Sequence, residues 1–424
     1  LDYDNVTAGT THIAIIRLPA KNASTEDLLV NPGGPGGSAV STVRSSYWDI
    51  QDKVGTQYNL IGIDPRGVSN SGPDISCFPG YPAAGRNAFY AEVFAIPDDT
   101  SAYGLQKNFQ AVGAYGDWCT SIYNVNDTAK YIGTVAVAQD MIRYIELAAE
   151  DRGREPSEAK LNYYGLSYGT VLGATFASLY PKRIHRMLLD GVVDSVDYYA
   201  GGWKTAPYDT DKAVRTFFED CLEAGPICVF RGNATSWEQL QERYMAIMDS
   251  LKRTPLYAAD PFSNFATALH LIPAVFTWQD LIWRTMSYMY SPGLTFLTLA
   301  QLLVDLEVGN AMGLWPGNNA ARIVSPVDDV AYDQREAEAL ISCLDANGRF
   351  NTSTIGQYTE HVEFMANRSR YGGLAVVSTV GPICHNLRVS PPTSQAFEGS
   401  RIPPRSSTRI ELTHCRFQDR QQQD

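Results

Sequence analysis

Residues 160–170 read KLNYYGLSYGT, and the order of side chains within them decides the fold. Residues 160–164 are a short, aromatic-rich run suited to a buried strand, and the residues from Thr170 to about Tyr180 are suited to a helix. Between the two stands Gly165-Leu166-Ser167-Tyr168-Gly169. A Gly-x-Ser-x-Gly run at a strand-to-helix junction permits a sharp turn that lifts the serine hydroxyl clear of the backbone. The flanking glycines matter because larger side chains collide where the chain reverses so tightly.

Working outward, residues 11–18 (THIAIIRL), 27–30 (DLLV) and 58–63 (YNLIGI) read as further strands, bounded by Pro, Asn and Gly. A helix is expected over residues 41–52. Residues 134–149 repeat apolar side chains at three- and four-residue steps, which predicts an amphipathic helix. One more strand is expected at 186–189, opening into Asp190-Gly191-Val192. Strands alternating with helices call for a mainly parallel sheet flanked by helices, with right-handed crossovers. After about Gly201 strand signals become scarce, and helices are expected over 212–222, 236–251, 277–288, 294–307, 334–344 and 355–367. The expected organisation is an α/β core over 1–200, a large helical cap over 201–390 and a polar tail over 391–424.

The formal charge of −12, from 34 Lys and Arg against 46 Asp and Glu, argues against nucleic acid, whose phosphates demand a basic face. No apolar run is long enough to span a membrane. The chain opens on Leu1, so it is expected to be a processed product or a fragment in which no signal peptide is visible. Six Asn-x-Ser/Thr sequons, at Asn5, Asn22, Asn126, Asn233, Asn351 and Asn367, favour a secreted glycoprotein. Seven cysteines allow the pairs Cys77 with Cys119, Cys221 with Cys228 and Cys343 with Cys384, with Cys415 left over, although spacing alone leaves connectivity open. None forms a Cys-x-x-Cys zinc pattern, so disulfides are expected and no metal or cofactor is.

Serine is a weak nucleophile, so catalysis needs a base for its proton and donors for the oxyanion that forms. Asn31-Pro32-Gly33-Gly34-Pro35-Gly36-Gly37-Ser38 follows a strand and can present bare backbone N–H groups to a bound carbonyl. In hydrolases with such a serine turn, one donor comes from this early loop and the other from the residue after the serine. Those residues are Gly34 and Tyr168. No Gly-Lys-Ser/Thr follows the loop, which excludes a nucleotide site of that type.

These pieces together resemble a known family. Leu1-Asp2-Tyr3, the loop NPGGPGGS (31–38), the turn GIDPRGVSNSG (62–72), GLSYGT (165–170) and LDGVVD (189–194) are similar to the tripeptidyl aminopeptidase-like branch of the α/β-hydrolases. That branch is related to the prolyl iminopeptidases, with Pro32 standing where those enzymes usually carry a histidine. The resemblance weakens along the chain from Leu1 to about Arg388. It implies an α/β-hydrolase fold and a secreted serine exopeptidase that takes short peptides or single residues from free N-termini. Ser167 would be the nucleophile, and the cap would admit only a chain end. Peptides or small esters are the expected partners; nothing in the sequence fixes an oligomeric state.

The resemblance places the catalytic acid and base after the cap, and the expected strand-Asp-Pro segment and later histidine are not found there. His185 precedes the strand at 186–189, at the opposite sheet end from Ser167; His270 and His361 fall on cap helices; His385 and His414 lie in no strand-loop context. Asp190 and Asp194 follow a strand and are expected to make turn or cap contacts. Asp64 is expected to order the DPRG turn, with Arg66 as its partner. Residues 390–424 are polar and suit a buried strand poorly, so the last core strands, and with them the acid, the base and full activity, are expected to be missing. Pro404 to Leu412 (PRSSTRIEL) can be encoded so that a shifted frame reads Pro-Ile-Leu-Tyr-Glu-Asn-Arg-Thr-Asp-Pro, similar to the family's strand ending in its catalytic Asp. A frameshift or misplaced splice boundary is therefore expected, and sequencing the transcript tests it. A carboxylic-ester hydrolase and a non-catalytic binding protein are the alternative functions.

Overall fold

The computed structural model describes residues 1–21, 26–81, 83–259, 273–311, 332–350, 352–397 and 411–412. Its centre is a six-stranded sheet in the order β1-β3-β2-β4-β5-β8. These are β1 (Ile15–Leu18), β2 (Asp27–Asn31), β3 (Asn59–Ile63), β4 (Leu161–Leu166), β5 (Ile184–Asp190) and β8 (Glu411–Leu412). Only β1 runs antiparallel, with Ile15 opposite Ile63. The β2, β3, β4 and β5 pairings are parallel, and Leu166 is in register with Asp190. The first strand is shorter than the 11–18 expected from sequence.

Alternate residues of the central strands point to opposite faces. Leu29, Ile61, Tyr163 and Leu189 join one cluster, which is filled by α4 (Thr134–Asp151), α5 (Tyr168–Leu179) and α11 (Gln334–Ala346). Leu28, Val30, Leu60 and Tyr164 join the other, packed against Val43 and Ile50 of α1 (Ala39–Val54). Because both faces are covered, the strands read as nearly continuous apolar runs. Two helices absent from the sequence expectation, α2 (Ala83–Val93) and α3 (Ala102–Asn126), add to the first face.

A separate apolar cluster holds the helices of the second half: α7 (Thr210–Glu223), α8 (Trp237–Arg253), α9 (Trp278–Met289), α10 (Pro292–Glu307), α12 (Ile355–Arg368) and α13 (Gly373–Val377). A small antiparallel pair, β6 (Leu256–Ala258) and β7 (Ala274–Phe276), lies among them. The short α6 (Ser195–Ala200) links β5 to this region. Helix α11 falls within the stretch expected to be cap, yet Leu340, Ile341 and Leu344 pack with the sheet.

Beyond β5 the tail contributes one short strand to the sheet. Glu411 and Leu412 pair in parallel with Leu188 and Leu189. A two-residue ladder needs backbone N–H and C=O groups, which any non-proline residue supplies, so polarity of the tail does not prevent it. The bonded cysteines are Cys77–Cys119, Cys221–Cys228 and Cys343–Cys384. Cys415 lies outside the described residues. Among the described residues, no helix is long and apolar enough to cross a membrane, and no cluster of side chains could hold a metal ion.

Candidate active site

Ser167 stands between β4 and α5 with φ 54° and ψ −123°. A non-glycine residue held there carries about 1–3 kcal/mol of strain, which the surrounding structure must hold in place. Its restraints are visible. The Ser167 N–H donates to the Asp190 carbonyl at 3.0 Å, and the Ser167 carbonyl accepts from Thr170 N at 2.8 Å and Thr170 Oγ1 at 2.6 Å. Thr170 Oγ1 in turn accepts from Val193 N at 3.0 Å, so the chain leaving β5 is tied to the turn. The Tyr163 hydroxyl donates to the Gly169 carbonyl at 2.7 Å.

The glycine loop lies against this turn. Gly33 has φ +99°, and a β-carbon there would stand 2.9 Å from Ser167 Cβ and 2.6 Å from the Leu166 carbonyl. Only glycine fits so close an approach with positive φ. The next peptide carries the Gly34 N–H, and Gly34 itself has φ +112°. Tyr168 opens α5, where the first-turn N–H groups have no partner within the helix and concentrate positive potential. Gly33, whose β-carbon position lies 3.1 Å from Tyr168 N, thus brings the glycine loop against the peptide that follows the serine.

Asp64 is fully buried at the end of β3 and binds the same loop. It accepts from Ser38 Oγ at 2.7 Å, Val40 N at 3.0 Å and Asn70 Nδ2 at 3.1 Å, joining the glycine loop, the start of α1 and the DPRG turn. Arg66 does not pair with Asp64. Its guanidinium instead makes a two-point contact with Asp140 of α4, at 2.7 and 2.8 Å, and also donates to the Tyr131 and Leu1 carbonyls. The half-exposed Tyr3 adds a further donor to Asp140 at 2.9 Å. Asp140 has no local signature, since its partners Arg66 and Tyr3 come from two distant segments.

The remaining candidates sit elsewhere. Asp190 Oδ2 accepts from the buried Tyr164 hydroxyl at 3.0 Å, and Asp194 caps α6 by accepting from Val196 N and Asp197 N. His185 Nδ1 contacts Asn162 Oδ1 at 3.0 Å and lines, with Asp27 and Tyr144, a cavity of about 280 Å³ at the N-terminal edge of the sheet. His361 is buried edge-on against Phe350, and burial, reinforced by Lys204, pushes its pKa down to about 4. His385 stacks on Phe109 with ring centroids 4.5 Å apart, and burial lowers its pKa as well. His270 and His414 lie outside the described residues. Among the described residues, Ser167 Oγ has no hydrogen-bond partner, and no histidine contacts it.

A second set of groups lies behind the serine turn, and sequence reasoning missed it. The Tyr168 hydroxyl meets Thr134 Oγ1 at 2.5 Å. Thr134 Oγ1 donates to Asp345 Oδ2, Thr134 N donates to Asp345 Oδ1 at 2.9 Å, and the Tyr198 hydroxyl donates to Asp345 Oδ2 at 2.7 Å. Burial raises the Asp345 pKa to about 6, against the opposing pull of these donors and of Arg349.

A strand order of this kind, with a serine turn after β4 and a glycine loop after β2, can be compared with known proteins. A family model described as alpha/beta hydrolase fold matches residues 28–267. The chain belongs to that family. Serine protease Hip1 of Mycobacterium tuberculosis is 29% identical over 298 residues, covering 69% of this chain and 52% of that protein. A tripeptidyl aminopeptidase of Streptomyces coelicolor is 28% identical over 268 residues, covering 60% and 45% respectively. Carboxylesterase B of M. tuberculosis is 29% identical over 365 residues, covering 82% and 61%. The chain therefore spans about half the length of the curated relatives it matches.

Proposed function

We propose that this chain carries the nucleophile and oxyanion half of a secreted serine hydrolase of exopeptidase type. Ser167 attacks an amide carbonyl near a free N-terminus, and the Gly34 and Tyr168 N–H groups bind the oxyanion as the acyl-enzyme forms. The helices of the second half restrict access to a chain end, so that short peptides or single residues leave. The observation that supports this reading is the strained Ser167 conformation with Gly33 wedged against it, because a serine turn of that kind presents its hydroxyl to backbone donors from the early loop and the residue after the serine. The likeness to a serine protease and a tripeptidyl aminopeptidase supports it. Residual hydrolysis of p-nitroanilide peptides with free N-termini, and not of the same peptides with blocked N-termini, is the expected result. Equal turnover of blocked peptides would overturn the exopeptidase assignment.

Two other readings each have an observation behind them. The likeness to a carboxylesterase supports ester hydrolysis with the same machinery, and faster turnover of short-chain esters than of any peptide would select it. A Ser167 hydroxyl with no base beside it among the described residues supports a non-catalytic peptide-binding role; failure of the folded protein to react with a fluorophosphonate selects that reading. Secretion is supported by the three disulfides and by the exposure of Asn5, Asn126, Asn233 and Asn367. Asn22 and Asn351 lie outside the described residues. A loss of mass on glycosidase treatment of the protein from its native host is expected, and an unchanged mass would contradict it.

A further inference from the structure

We infer that Asp345 is a positioning residue for the Tyr168 oxyanion donor, acting through Thr134, and that α11 braces both arms of the oxyanion hole. The inference rests on the hydrolase reading above and assigns a role to a residue that does not touch substrate.

The protons in this cluster can be counted. Thr134 Oγ1 has a single proton and gives it to Asp345, so at its 2.5 Å contact with Tyr168 it can only accept. The order is therefore fixed: Tyr168 O–H donates to Thr134, and Thr134 O–H donates to the Asp345 carboxylate. Asp345 receives three donors in all, from Thr134 N, Thr134 Oγ1 and Tyr198 Oη. Helix α4 has Gly133 at its N-cap with no side-chain hydrogen bond, so Asp345 supplies from outside the acceptor that a local cap usually provides. Tyr168 and Tyr198 are each 1% exposed and Thr134 is 0% exposed, so no water competes for these bonds. Fixing the Tyr168 ring fixes the first turn of α5, and with it the Tyr168 N–H.

The other arm is held by the same helix. A β-carbon on Gly36 would stand 2.9 Å from the Gln334 carbonyl and 3.1 Å from Ala337 Cβ, and the Tyr332 hydroxyl donates to the Gly36 carbonyl. Ala337 and Asp345 are eight positions apart, about 12 Å along a helix. One rigid element thus touches the glycine loop near its start and, near its end, Thr134, which bonds Tyr168 of the serine turn. Its Glu336 accepts from Cys77 N at 2.9 Å, and its Cys343 is bonded to Cys384, which anchors it at both ends.

Replacing Asp345 by Asn leaves the shape but puts an amide N–H where Thr134 and Tyr198 donate. Thr134 must then accept from Asn, turn its own proton toward Tyr168, and leave the Tyr168 proton without its acceptor. The test measures fluorophosphonate modification of Ser167 in the full chain for wild type, Asp345→Asn, Tyr168→Phe and the double variant. The limiting rate is expected to fall at least tenfold in each single variant at unchanged half-saturating probe. The double variant should be no slower than the worse single one, because both act through one chain of bonds. In wild type the rate should also fall as pH drops through about 6, as a proton on Asp345 displaces one donor; Asp345→Asn should lack that step. The groups facing the carboxylate in that titration are Thr134, Tyr168, Tyr198, Tyr199 and Arg349. A wild-type rate in Asp345→Asn, or strictly multiplicative losses in the double variant, would overturn the inference.

Amide exchange separates this from the hydrolase reading. If wild type takes no label, the hydrolase reading fails, and exchange in the peptide covering 166–171 still decides the role of Asp345. Faster exchange there in Asp345→Asn, with 27–31 unchanged, supports the inference; an unchanged 166–171 peptide overturns it. Tyr198→Phe removes one donor without disturbing the carboxylate charge. It should give a smaller change of the same sign if Asp345→Asn does not fold.

Discussion

At the scale of single residues, the steric demands of the serine turn explain why the site was legible before the fold was. Ser167, Gly33 and Gly34 were readable because positive φ and close backbone approach restrict residue type at the position itself. Gly33→Ala is expected to cost about 3 kcal/mol, from the left-handed penalty plus a clash 2.9 Å from Ser167 Cβ, and to abolish labelling of Ser167. Thermal denaturation and probe labelling check the two effects. Arg66 shows the opposite case. Its pairing with Asp140 was not readable, because sequence proximity to Asp64 says nothing about which carboxylate of α4 folds beneath it. The pair is 3% and 9% exposed, and Arg66→Ala leaves Asp140 buried without its countercharge. We expect a loss of about 3–5 kcal/mol in urea denaturation, recovered in part by Asp140→Asn in the same chain.

At the scale of elements, strong periodicity found the helices and weak periodicity lost them. The helices from α7 to α12 lie within a few residues of the expected spans, since their apolar stripes recur at three and four positions. Helix α3 was missed although it is 25 residues long. Its glycines look like breakers, but Gly113 and Gly116 are there because the chain at His385 to Leu387 lies against them. That contact is tertiary and leaves no local trace. Helix α11 presents a different consequence of burial. Glu336 is 1% exposed, and burial raises its pKa to about 7, against the Cys77 N–H that binds it. A carboxyl whose folded pKa is raised contributes stability that is complete below its unfolded pKa and lost as pH rises through the folded one. Glu336→Gln should therefore be nearly neutral at pH 5 and stabilising by roughly 3 kcal/mol at pH 8 relative to wild type. Equal effects at the two pH values in denaturant titrations would contradict this. His361 has a lowered pKa and so the opposite sign, and it cancels because it is common to both proteins.

At the scale of the whole molecule, the helices of the second half and the sheet have separate apolar clusters, and each disulfide lies within one of them. Cys343–Cys384 ties α11 to the segment that crosses α3, so the double substitution to Ala is expected to lower stability by about 2–4 kcal/mol and to slow Ser167 labelling with it. Labelling at the wild-type rate in a destabilised double variant would separate α11 from the site. The tail marks the limit of sequence reading at this scale: a polar stretch does not look like a core strand, yet Glu411 and Leu412 pair with Leu188 and Leu189 of the sheet. The central claim is that Ser167 is a nucleophile presented to an oxyanion hole. Mass-spectrometric mapping of a fluorophosphonate adduct on the full chain tests it most directly. An adduct on Ser167 that is absent from Ser167→Ala is expected, whereas a folded wild-type protein that takes no adduct, or takes it on another residue, would show that Ser167 is not the nucleophile.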